Sequence, residues 1–309
     1  MPATASYGSI SGNSAGDFCC IAQRFDDSDG DFDPDCGESW VYHFGDDDDG
    51  GCFFGGQGWL TGVWYSPGRA AYVVDADGEA MVFRDPVILY PGQKAAKGQI
   101  TKVELDASLF GVWGLDDRFV LAWGDHGDGG RIWRWDGKVW AELPKPPGTI
   151  MDVQGLAPDL VIAVGYHGMI AHWNGRKWTQ LASPTRAGLN AVTVVSPDEM
   201  YACSSSGVLL EGSVHGWAEA LDEGIPLFGV AKFKDNLYVG AGDKGLFLRK
   251  GQKLVPFKPT VKATTMEARK DLLVVADKLI CTSTDGQRFD TTDEEFVLET
   301  LINEPECWK

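Results

Sequence analysis

An alternating run of aspartates is the stretch of this sequence whose spacing points most directly to chemistry. From position 27 to position 35 every second residue carries a carboxylate, namely Asp27, Asp29, Asp31, Asp33 and Asp35. Calcium loops are rich in carboxylates, but they place a glycine after the third ligand and a bidentate glutamate further on, whereas Gly30 interrupts this run. A calcium ion at Asp27, Asp29 and Asp31 is therefore one hypothesis. A partner-binding acidic loop and a solvated loop are the alternatives.

Two histidines stand in corresponding short turns where acid–base or metal chemistry is conceivable. His126 is flanked by aspartates and His167 follows a tyrosine, but the two turns supply no third metal ligand. We interpret these residues as turn-surface groups that contact a partner, with one aspartate from a later turn. The set is Asp125, His126, Asp128, Tyr166, His167 and Asp243.

Motifs of catalysis and cofactor binding are absent from the sequence. It contains no nucleophile elbow, phosphate-binding loop, dinucleotide fingerprint or HExxH pattern. The arginines show none of the clustering on innermost strands that a sialidase needs. The missing motifs therefore favour a protein that is not an enzyme, with a glycan-cleaving propeller as the alternative, and apart from the calcium hypothesis we expect no cofactor.

Negative charge dominates the chain and is concentrated in one place. The formal net charge is −18, and eleven acidic residues with no lysine or arginine lie between positions 26 and 49. Such a field disfavours nucleic acid and anionic membrane as partners and favours a basic protein. The seven cysteines form no CxxC pair, and the N-terminus resembles no secretory signal. We expect reduced thiols in a cytoplasmic protein.

An internal repeat of roughly 40 residues predicts the strands that position these residues. Two units match most closely, with segments 109–114, 119–124 and 130–140 beside segments 150–155, 160–165 and 168–178. Each unit is typical of four short strands, and weaker copies begin near positions 62, 191, 229 and 265. Near-constant spacing of strand-only units predicts a β-propeller.

The repeat resembles bacterial propeller repeats that read G-V-W-G, then V-x-A-V-G, then G-x-I-x-H-W-x-G-x-x-W. Residues 283–289 resemble an Asp-box turn, in which an aspartate caps a hairpin above an aromatic side chain. The resemblance extends over about residues 60–290. It implies a propeller fold and no particular activity, since such propellers include enzymes, lectins and binding proteins.

The predicted fold is therefore an all-β, seven-bladed propeller that forms one domain over residues 1–309. The blades are expected at about 17–54 with 294–302, 60–92, 109–143, 150–181, 189–221, 227–257 and 264–291, with an acidic insertion at 26–39. Because the first blade lacks an opening strand, residues 296–302 are predicted to pair with residues 19–24. Pairing of the N- and C-terminal strands would close the ring and remove exposed sheet edges.

Strand order separates the loops into two rims. With strands A to D in each blade, the B–C turns and D–A links share one rim, and the A–B and C–D turns share the other. Most long loops, including the acidic insertion, are B–C turns or D–A links, so we expect function on that rim.

The charge and the missing catalytic motifs favour a monomeric, non-catalytic, protein-binding propeller. More specifically, they favour an intracellular bacterial immunity protein that neutralises a basic toxin domain. The alternative is a carbohydrate-binding or glycan-cleaving propeller, suggested by twelve tryptophans and the Asp-box-like turn.

Overall fold

A computed structural model describes residues 4–25, 37–45, 51–84, 86, 100–292 and 295–303. Within them lie seven sheets of four strands each, and hydrogen-bonded neighbours follow chain order in every sheet. The sheets are the blades of a β-propeller, so the predicted fold class is confirmed. By contact the chain divides into two compact units, residues 1–112 with 269–309 (unit 1) and residues 113–268 (unit 2).

Unit 1 contains blades 1 and 2, the last three strands of blade 7, and one helix. Blade 1 consists of β1 (Thr4–Ser14), β2 (Asp17–Phe25), β3 (Glu38–Gly45) and β4 (Gly51–Gln57). Blade 2 consists of β5 (Leu60–Tyr65), β6 (Ala71–Asp75), β7 (Glu79–Phe83) and β8 (Ile100–Glu104). Blade 3 begins with β9 (Ser108–Asp116), which crosses into unit 2.

Unit 2 contains the rest of blade 3, blades 4 to 6 and the first strand of blade 7. Blade 3 continues with β10 (Phe119–Asp125), β11 (Gly130–Trp135) and β12 (Trp140–Glu142). Blade 4 is β13 (Ile150–Ala157), β14 (Leu160–Gly165), β15 (Ile170–Trp173) and β16 (Trp178–Gln180). Blade 5 is β17 (Leu189–Ser196), β18 (Glu199–Ser204), β19 (Val208–Ser213) and β20 (Gly216–Asp222).

Blade 6 is β21 (Gly229–Phe233), β22 (Asn236–Gly240), β23 (Leu246–Lys250) and β24 (Lys253–Lys258). Blade 7 is β25 (Thr265–Ala268), β26 (Leu272–Ala276), β27 (Leu279–Ser283) and β28 (Asp290–Thr292), and the helix α1 (Glu295–Asn303) follows it. These bounds agree closely with the predicted blades 3 to 7. Blade 2 extends past the predicted end at 92, because its last strand is β8.

The opening strand of blade 1 is β1, a segment in which the sequence analysis predicts no strand. It pairs with β2, Ile10 lying opposite Cys20. Ala5, Tyr7 and Ile10 are buried. A register shift between Tyr7 and Ser9 interrupts the alternation of buried and partly exposed side chains along β1. Because a bulge adds one residue to the strand, the period of two that marks a strand is lost from the sequence.

The predicted closing strand is instead the helix α1. Leu298 and Leu301, three residues apart, are buried in one core cluster with Ala5 and Tyr7 of β1, and Val297 and Ile302 pack against it. This spacing is helical. The prediction that residues 296–302 pair with residues 19–24 is therefore wrong, since β1 takes that place beside β2. Among the described residues, no helix is long and apolar enough to cross a membrane.

The A strands are sheet edges, so some of their N–H groups need partners outside their own blade. In unit 1, Ser9 and Ser11 of β1 provide hydroxyl oxygens. Ser9 accepts a hydrogen bond from Val63 N at 3.3 Å, and Ser11 accepts one from Tyr65 N at 2.9 Å. Two short side chains thus join the innermost strands of blades 1 and 2.

Unit 2 repeats this arrangement between blades 4 and 5. Asp152 Oδ2 accepts a hydrogen bond from Val192 N at 2.8 Å, and Gln154 Oε1 accepts one from Val194 N. Asp152 and Gln154 flank the buried Val153, just as the two serines flank a buried isoleucine in β1. The same contact between innermost strands is therefore made by hydroxyl oxygens in unit 1 and by carboxylate and amide oxygens in unit 2.

Several C–D turns are capped by one side-chain oxygen. Asp136 Oδ1 accepts hydrogen bonds from the backbone N–H groups two and three residues later, at 2.9 and 3.0 Å. Asn174 caps the equivalent turn at 3.1 Å for both bonds, and Asp285 does so at 2.7 and 2.8 Å. The cap expected at residues 283–289 is confirmed, and the same local chemistry closes three hairpins.

Candidate protein-binding rim

In unit 2 each B–C turn packs against the D–A links beside it. A Cβ placed on Gly207 would lie 2.8 Å from Gly224 N, and one placed on Gly245 would lie 2.7 Å from Pro259 Cα. Both glycines have positive φ, 101° and 103°, so neither the backbone nor the space admits a side chain. We call this band the B–C rim, comprising residues 124–130, 143–149, 165–169, 181–188, 204–207, 223–228, 241–245 and 259–264.

Asp125 fastens the B–C turn of blade 3. Its Oδ1 accepts a hydrogen bond from Gly127 N at 2.6 Å, and its Oδ2 accepts one from Thr149 Oγ1 at 2.7 Å. Thr149 lies in the following D–A link, so one carboxylate joins the turn to the link. Asp125 therefore has a structural task, while its neighbour His126 is exposed.

Asp128 is the acidic residue of this turn that faces solvent most fully. Its carboxylate lies 3.0 Å from Lys145 Nζ and 3.4 Å from Arg131 Nη2, and its side chain is 58% exposed. Lys145, followed by Arg131, holds the pKa of Asp128 below its usual range. The residue is ionised at neutral pH and already paired with cations. It is suited to a charged recognition surface rather than to proton transfer.

The B–C turn of blade 4 presents an exposed aromatic ring. Tyr166 is 51% exposed, and the next residue, His167, is also exposed. His167 has a φ of 57°, a left-handed conformation that is uncommon for a residue with a side chain. Gly168 completes the turn, packed against the carbonyl of Thr185 in the next link. Tight packing beneath the turn therefore leaves the tyrosine ring in solvent.

A second exposed ring lies at the B–C turn of blade 6, but it comes from the preceding link. Phe228 is 41% exposed, and its ring covers Gly242 in the turn. Beside it, Asp243 lies 3.0 Å from Lys262 Nζ with 83% of its side chain exposed. Asn190 Nδ2 donates a hydrogen bond of 3.0 Å to the carbonyl of Leu227, which anchors the chain just before the ring. Blades 4 and 6 thus each present one aromatic ring.

Phe228 is the rim residue that sequence reasoning missed. It falls inside the predicted blade at 227–257, because an apolar residue one position before a buried strand looks like part of that strand. The available signal was Gly242, which occupies the turn position that Tyr166 occupies in blade 4. A missing side chain at a repeated surface position can mark a neighbour that fills the space.

The alternating aspartates lie outside the described residues, as do Asp46 to Asp49. The structure nevertheless shows that residues 26–37 connect β2 to β3, so this segment is a B–C connection as predicted. Glu38, counted among the unopposed acidic residues, begins β3, is buried, and lies 2.8 Å from Arg24 Nη1. It therefore adds nothing to an exposed negative field.

In the part of the chain that the structure describes, no three or more metal-ligating side chains come together. Because Asp27, Asp29 and Asp31 lie outside that part, the calcium hypothesis stays a prediction. The cations that contact the rim aspartates are lysine and arginine side chains of the protein itself.

Comparison with known proteins gives no family. No family model matches the chain, and no curated protein matches it. Solved structures do match. The WD40 β-propeller domain of Doa1 superposes with a TM-score of 0.69 at 11% identity, over 94% of this chain and 96% of that one.

Two further matches are structures of YCF48. YCF48 bound to D1 peptide has a TM-score of 0.64 and 12% identity, covering 92% of this chain and 94% of its own. YCF48 from Cyanidioschyzon merolae has a TM-score of 0.64 and 14% identity, covering 93% and 98%. The likeness shows the fold alone. Any role for the rim must rest on the residues of this chain.

Unit 1 contains a polar network that the sequence analysis also missed. His43 Nε2 lies 2.9 Å from Asp17 Oδ1 and 3.4 Å from Tyr65 Oη, and Arg69 Nη2 lies 3.5 Å from the same carboxylate. These residue types suit acid–base chemistry. However, Tyr65 is 1% exposed and His43 is 8% exposed, so a substrate cannot reach them. Burial also raises the pKa of Tyr65.

Arg269 shows what this network does. Its Nη1 donates to the carbonyl of Tyr65 at 2.6 Å and its Nη2 donates to Ser11 Oγ at 2.9 Å, while the guanidinium lies 5.4 Å from the ring centre of Trp64. The contacts join the A–B turn of blade 7 to the A strands of blades 1 and 2 within unit 1. We interpret the network as structural.

Proposed function

We propose that this chain is a non-catalytic protein-binding propeller that recognises its partner through the B–C rim. The observation that carries the proposal is the exposure of two aromatic rings there, Tyr166 at 51% and Phe228 at 41%. Aromatic side chains are enriched among the few residues that dominate interface energies, where a partner covers them and excludes water. Two such rings in one band of packed turns and links form a preorganised contact surface.

The opposite rim offers a different kind of surface. Its exposed apolar residues in the described part of unit 2 are aliphatic: Val139 at a C–D turn, and Leu156 and Val195 at the ends of β13 and β17. Leucine and valine are under-represented among the residues that dominate binding energy. This contrast favours the B–C rim as the binding face.

The charged side chains near the two aromatic rings also favour protein binding. Charged side chains at the rim, such as Asp128 and Asp243, lie at salt-bridge distance from lysines yet stay more than half exposed. Such pairs are weak and can be rearranged by a partner at low cost. One solved propeller of similar fold, YCF48, is bound to a peptide. That precedent supports a peptide or protein ligand here.

More specifically, we propose an intracellular bacterial immunity protein that neutralises a basic toxin domain and acts as a monomer in the cytoplasm. Its support is the net charge of −18, with acidic residues concentrated between positions 26 and 49. A partner of opposite charge would be attracted over long range and would bind faster. The acidic segment 26–37 belongs to a B–C connection, the same class of loop that carries Tyr166.

The carbohydrate-binding alternative is less well supported. It calls for an exposed tryptophan beside paired carboxylates, and none of the tryptophans in the described residues is exposed. The repeated pairs stack in the blades instead, Trp135 on Trp140 at 5.7 Å and Trp173 on Trp178 at 5.3 Å between ring centres. Their role is packing.

The test begins with affinity capture from the native cell and purification of the captured protein. Its affinity is then measured for the parent, for Tyr166→Ala and for Phe228→Ala, with Leu156→Ala on the opposite rim as the matched control. Truncation of a dominant contact should weaken binding about 5- to 30-fold. The control should stay within about twofold. Loss of affinity in the control alone would mean that the other rim binds.

The toxin part of the proposal has a separate readout. The captured protein is expressed in a bacterial host by itself, with the parent, and with the Tyr166→Ala variant. We expect growth arrest that the parent relieves and the variant relieves less. A partner that is harmless when expressed alone would contradict the immunity role and leave protein binding standing.

A further inference from the structure

Blade 6 and the links beside it are basic, although the chain as a whole is strongly acidic. Residues 227–264 contain eight lysines and arginines and two aspartates, which gives them a net charge of +6. The whole chain carries −18, so all other residues together carry −24. Blade 6 therefore differs in the sign of its charge from the rest of the chain taken together.

Five of these cations lie toward the opposite rim, at or near the A–B and C–D turns of the blade. They are Lys232, Lys234, Arg249, Lys250 and Lys253. Two of the five are engaged by blade 5. Lys232 Nζ lies 3.0 Å from Glu199 Oε1. Arg249 Nη2 lies 2.7 Å from Glu211 Oε2, so we interpret both pairs as contacts between blades.

The other three cations lie at the B–C rim, in the B–C turn, at the end of β24 and in the D–A link that follows. They are Lys244, Lys258 and Lys262. The turn and the link are in contact. A Cβ placed on Gly245, next to Lys244, would lie 2.9 Å from the carbonyl oxygen of Lys258. Gly242 N donates a hydrogen bond of 2.9 Å to Ala263 O, so the three cations belong to segments that pack together.

The exposed ring of Phe228 belongs to the same area. It covers Gly242 of the turn, and Phe228 N donates a hydrogen bond of 2.8 Å to Gly240 O. The ring therefore has one lysine on the turn that it covers and two more at the link packed against that turn. We call this set the blade 6 subsite: Phe228, Lys244, Lys258 and Lys262. An apolar surface among cations complements a segment in which carboxylates flank an apolar side chain.

The carboxylate of Asp243, which lies at this subsite, is held only weakly. Its Oδ1 lies 3.0 Å from Lys262 Nζ, but 83% of the aspartate side chain and 53% of the lysine side chain are exposed. Because exposed pairs contribute little, a carboxylate of a partner can replace Asp243 at low cost. Lys244 is exposed as well, and among the described residues no carboxylate pairs with it.

We propose that the blade 6 subsite binds an acidic segment of the protein partner, in which carboxylates flank an apolar or aromatic side chain. The apolar side chain packs on Phe228, and the carboxylates pair with Lys244 and Lys262. This inference rests on the proposed function in that the B–C rim is the binding face, and it adds the sign of the charge that meets blade 6. A partner that is basic as a whole can carry such a segment, because screening limits each contact to charges within about 10 Å at 0.1 M salt.

The subsite fits a protein segment better than a nucleic acid. A nucleic acid is held by many cations that neutralise successive phosphates, whereas the subsite has three lysines, one of them paired with Asp243. A long polyanion would also be repelled by the net charge of −18. A short acidic segment meets mainly the local cations.

The first test uses three labelled peptides that share a central phenylalanine and differ in charge: Glu-Asp-Phe-Glu-Asp, Gln-Asn-Phe-Gln-Asn and Lys-Arg-Phe-Lys-Arg. Their affinities for the full chain are measured by fluorescence anisotropy at low salt. We expect the acidic peptide to bind about 10-fold or more tightly than the amide peptide. Tighter binding of the basic peptide, equal binding of the acidic and amide peptides, or displacement of the acidic peptide by a single-stranded oligonucleotide would overturn the proposal.

Three variants locate the acidic peptide on the chain. Lys244→Glu should weaken its binding about 3- to 10-fold, and Asp243→Asn, which frees Lys262, should strengthen it. Lys253→Glu makes the same charge change at the other end of β24, about 17 Å from Lys258, and is the matched control. Equal effects of the two lysine reversals would show that the peptide responds to net charge alone and would overturn the subsite.

The captured partner separates this inference from the proposed function. We expect Phe228→Ala and Lys244→Glu both to weaken its binding and Lys253→Glu to leave it unchanged. If Phe228→Ala weakens binding while Lys244→Glu strengthens it or has no effect, the inference is overturned and the proposed function stands. If neither rim variant changes the affinity, the proposed function is contradicted, and the peptide affinities still decide the inference.

Discussion

The ring of Phe228 lies directly over Gly242: a Cβ placed on that glycine would be 3.0 Å from the ring atom Cε2 and 3.3 Å from Cδ2. Gly242 also has a φ of 53°, a conformation in which a side chain is strained. The glycine therefore makes room for a ring that comes from a different segment of the chain. The two residues act as one structural unit at the rim.

Gly242→Ala should displace the Phe228 ring without removing it. We expect a loss of about 1 kcal/mol of stability from the strained backbone. We also expect partner affinity to fall nearly as much as in Phe228→Ala, as measured by equilibrium unfolding and by titration of the captured partner. In the double variant the affinity loss should be no larger than in Phe228→Ala alone. Additive losses would show that the glycine acts independently of the ring.

Leu301→Ala tests the helix that replaces the predicted closing strand. Leu301 is completely buried against the core of unit 1. Truncation of a buried leucine should cost about 2–5 kcal/mol in the free energy of unfolding, measured by denaturant titration. Glu299→Ala, on the exposed side of the same helix, should change it by less than about 0.5 kcal/mol. Equal effects would mean that α1 is not held by this packing.

Asp17 should make the protein sensitive to acid. Burial by itself would raise its pKa, but His43, Asn13 and Arg69 together lower it below 3.8. A group whose pKa is lower in the folded state contributes stability above its unfolded pKa and loses that contribution as the pH falls through the folded value. Unfolding midpoints of the parent should therefore drop steeply below about pH 4, and those of Asp17→Asn should drop less. Superimposable acid limbs would contradict this assignment.

Replacement of Asp27, Asp29, Asp31 and Asp33 together by asparagine tests electrostatic attraction of the partner. We expect slower association at low salt and a smaller difference at high salt, because screening shortens from about 10 Å at 0.1 M to about 3 Å at 1 M. Stopped-flow measurements with the captured partner provide the rates. The matching change of Asp46 to Asp49, in a C–D connection, should have the smaller effect. A larger effect there would favour the opposite rim.

The calcium hypothesis is tested by thermal unfolding with the metal and with a chelator. A bound ion would relieve the repulsion between neighbouring carboxylates and raise the midpoint by mass action. Asparagine at positions 27, 29 and 31 should abolish any such rise. Identical midpoints with calcium and with chelator would remove the hypothesis.

The periodic parts of the fold were predictable from the sequence because their causes are local. The tryptophan pairs and the capping residues Asp136 and Asn174 recur with the repeat, and they mark hairpins formed by residues close in sequence. By contrast, β1 was missed because a bulge breaks its alternation. The C-terminal segment was misassigned because a short apolar run suits a strand or a helix equally well.

For the candidate site, too, some features could be predicted from the sequence and others could not. Asp125, His126, Asp128, Tyr166, His167 and Asp243 could be assigned to B–C turns by counting strands. The structure places the last five in such turns and Asp125 at the end of β10, directly before its turn. Their pairing with Lys145, Thr149 and Lys262 could not be read from the turns themselves, because the partners belong to separate links.

The sequence by itself determined the seven-bladed fold class, the repeated hairpins and the concentration of negative charge, since these follow from short-range periodicity and composition. Only the tertiary structure decided that Phe228 covers Gly242, that Arg269 reaches Tyr65 across 204 positions, and that Asp152 accepts a hydrogen bond from Val192 N of the next blade. Exposure, hydrogen-bond partners and pKa depend on residues that are distant in the chain. No local sequence pattern indicates which of these distant residues will be in contact.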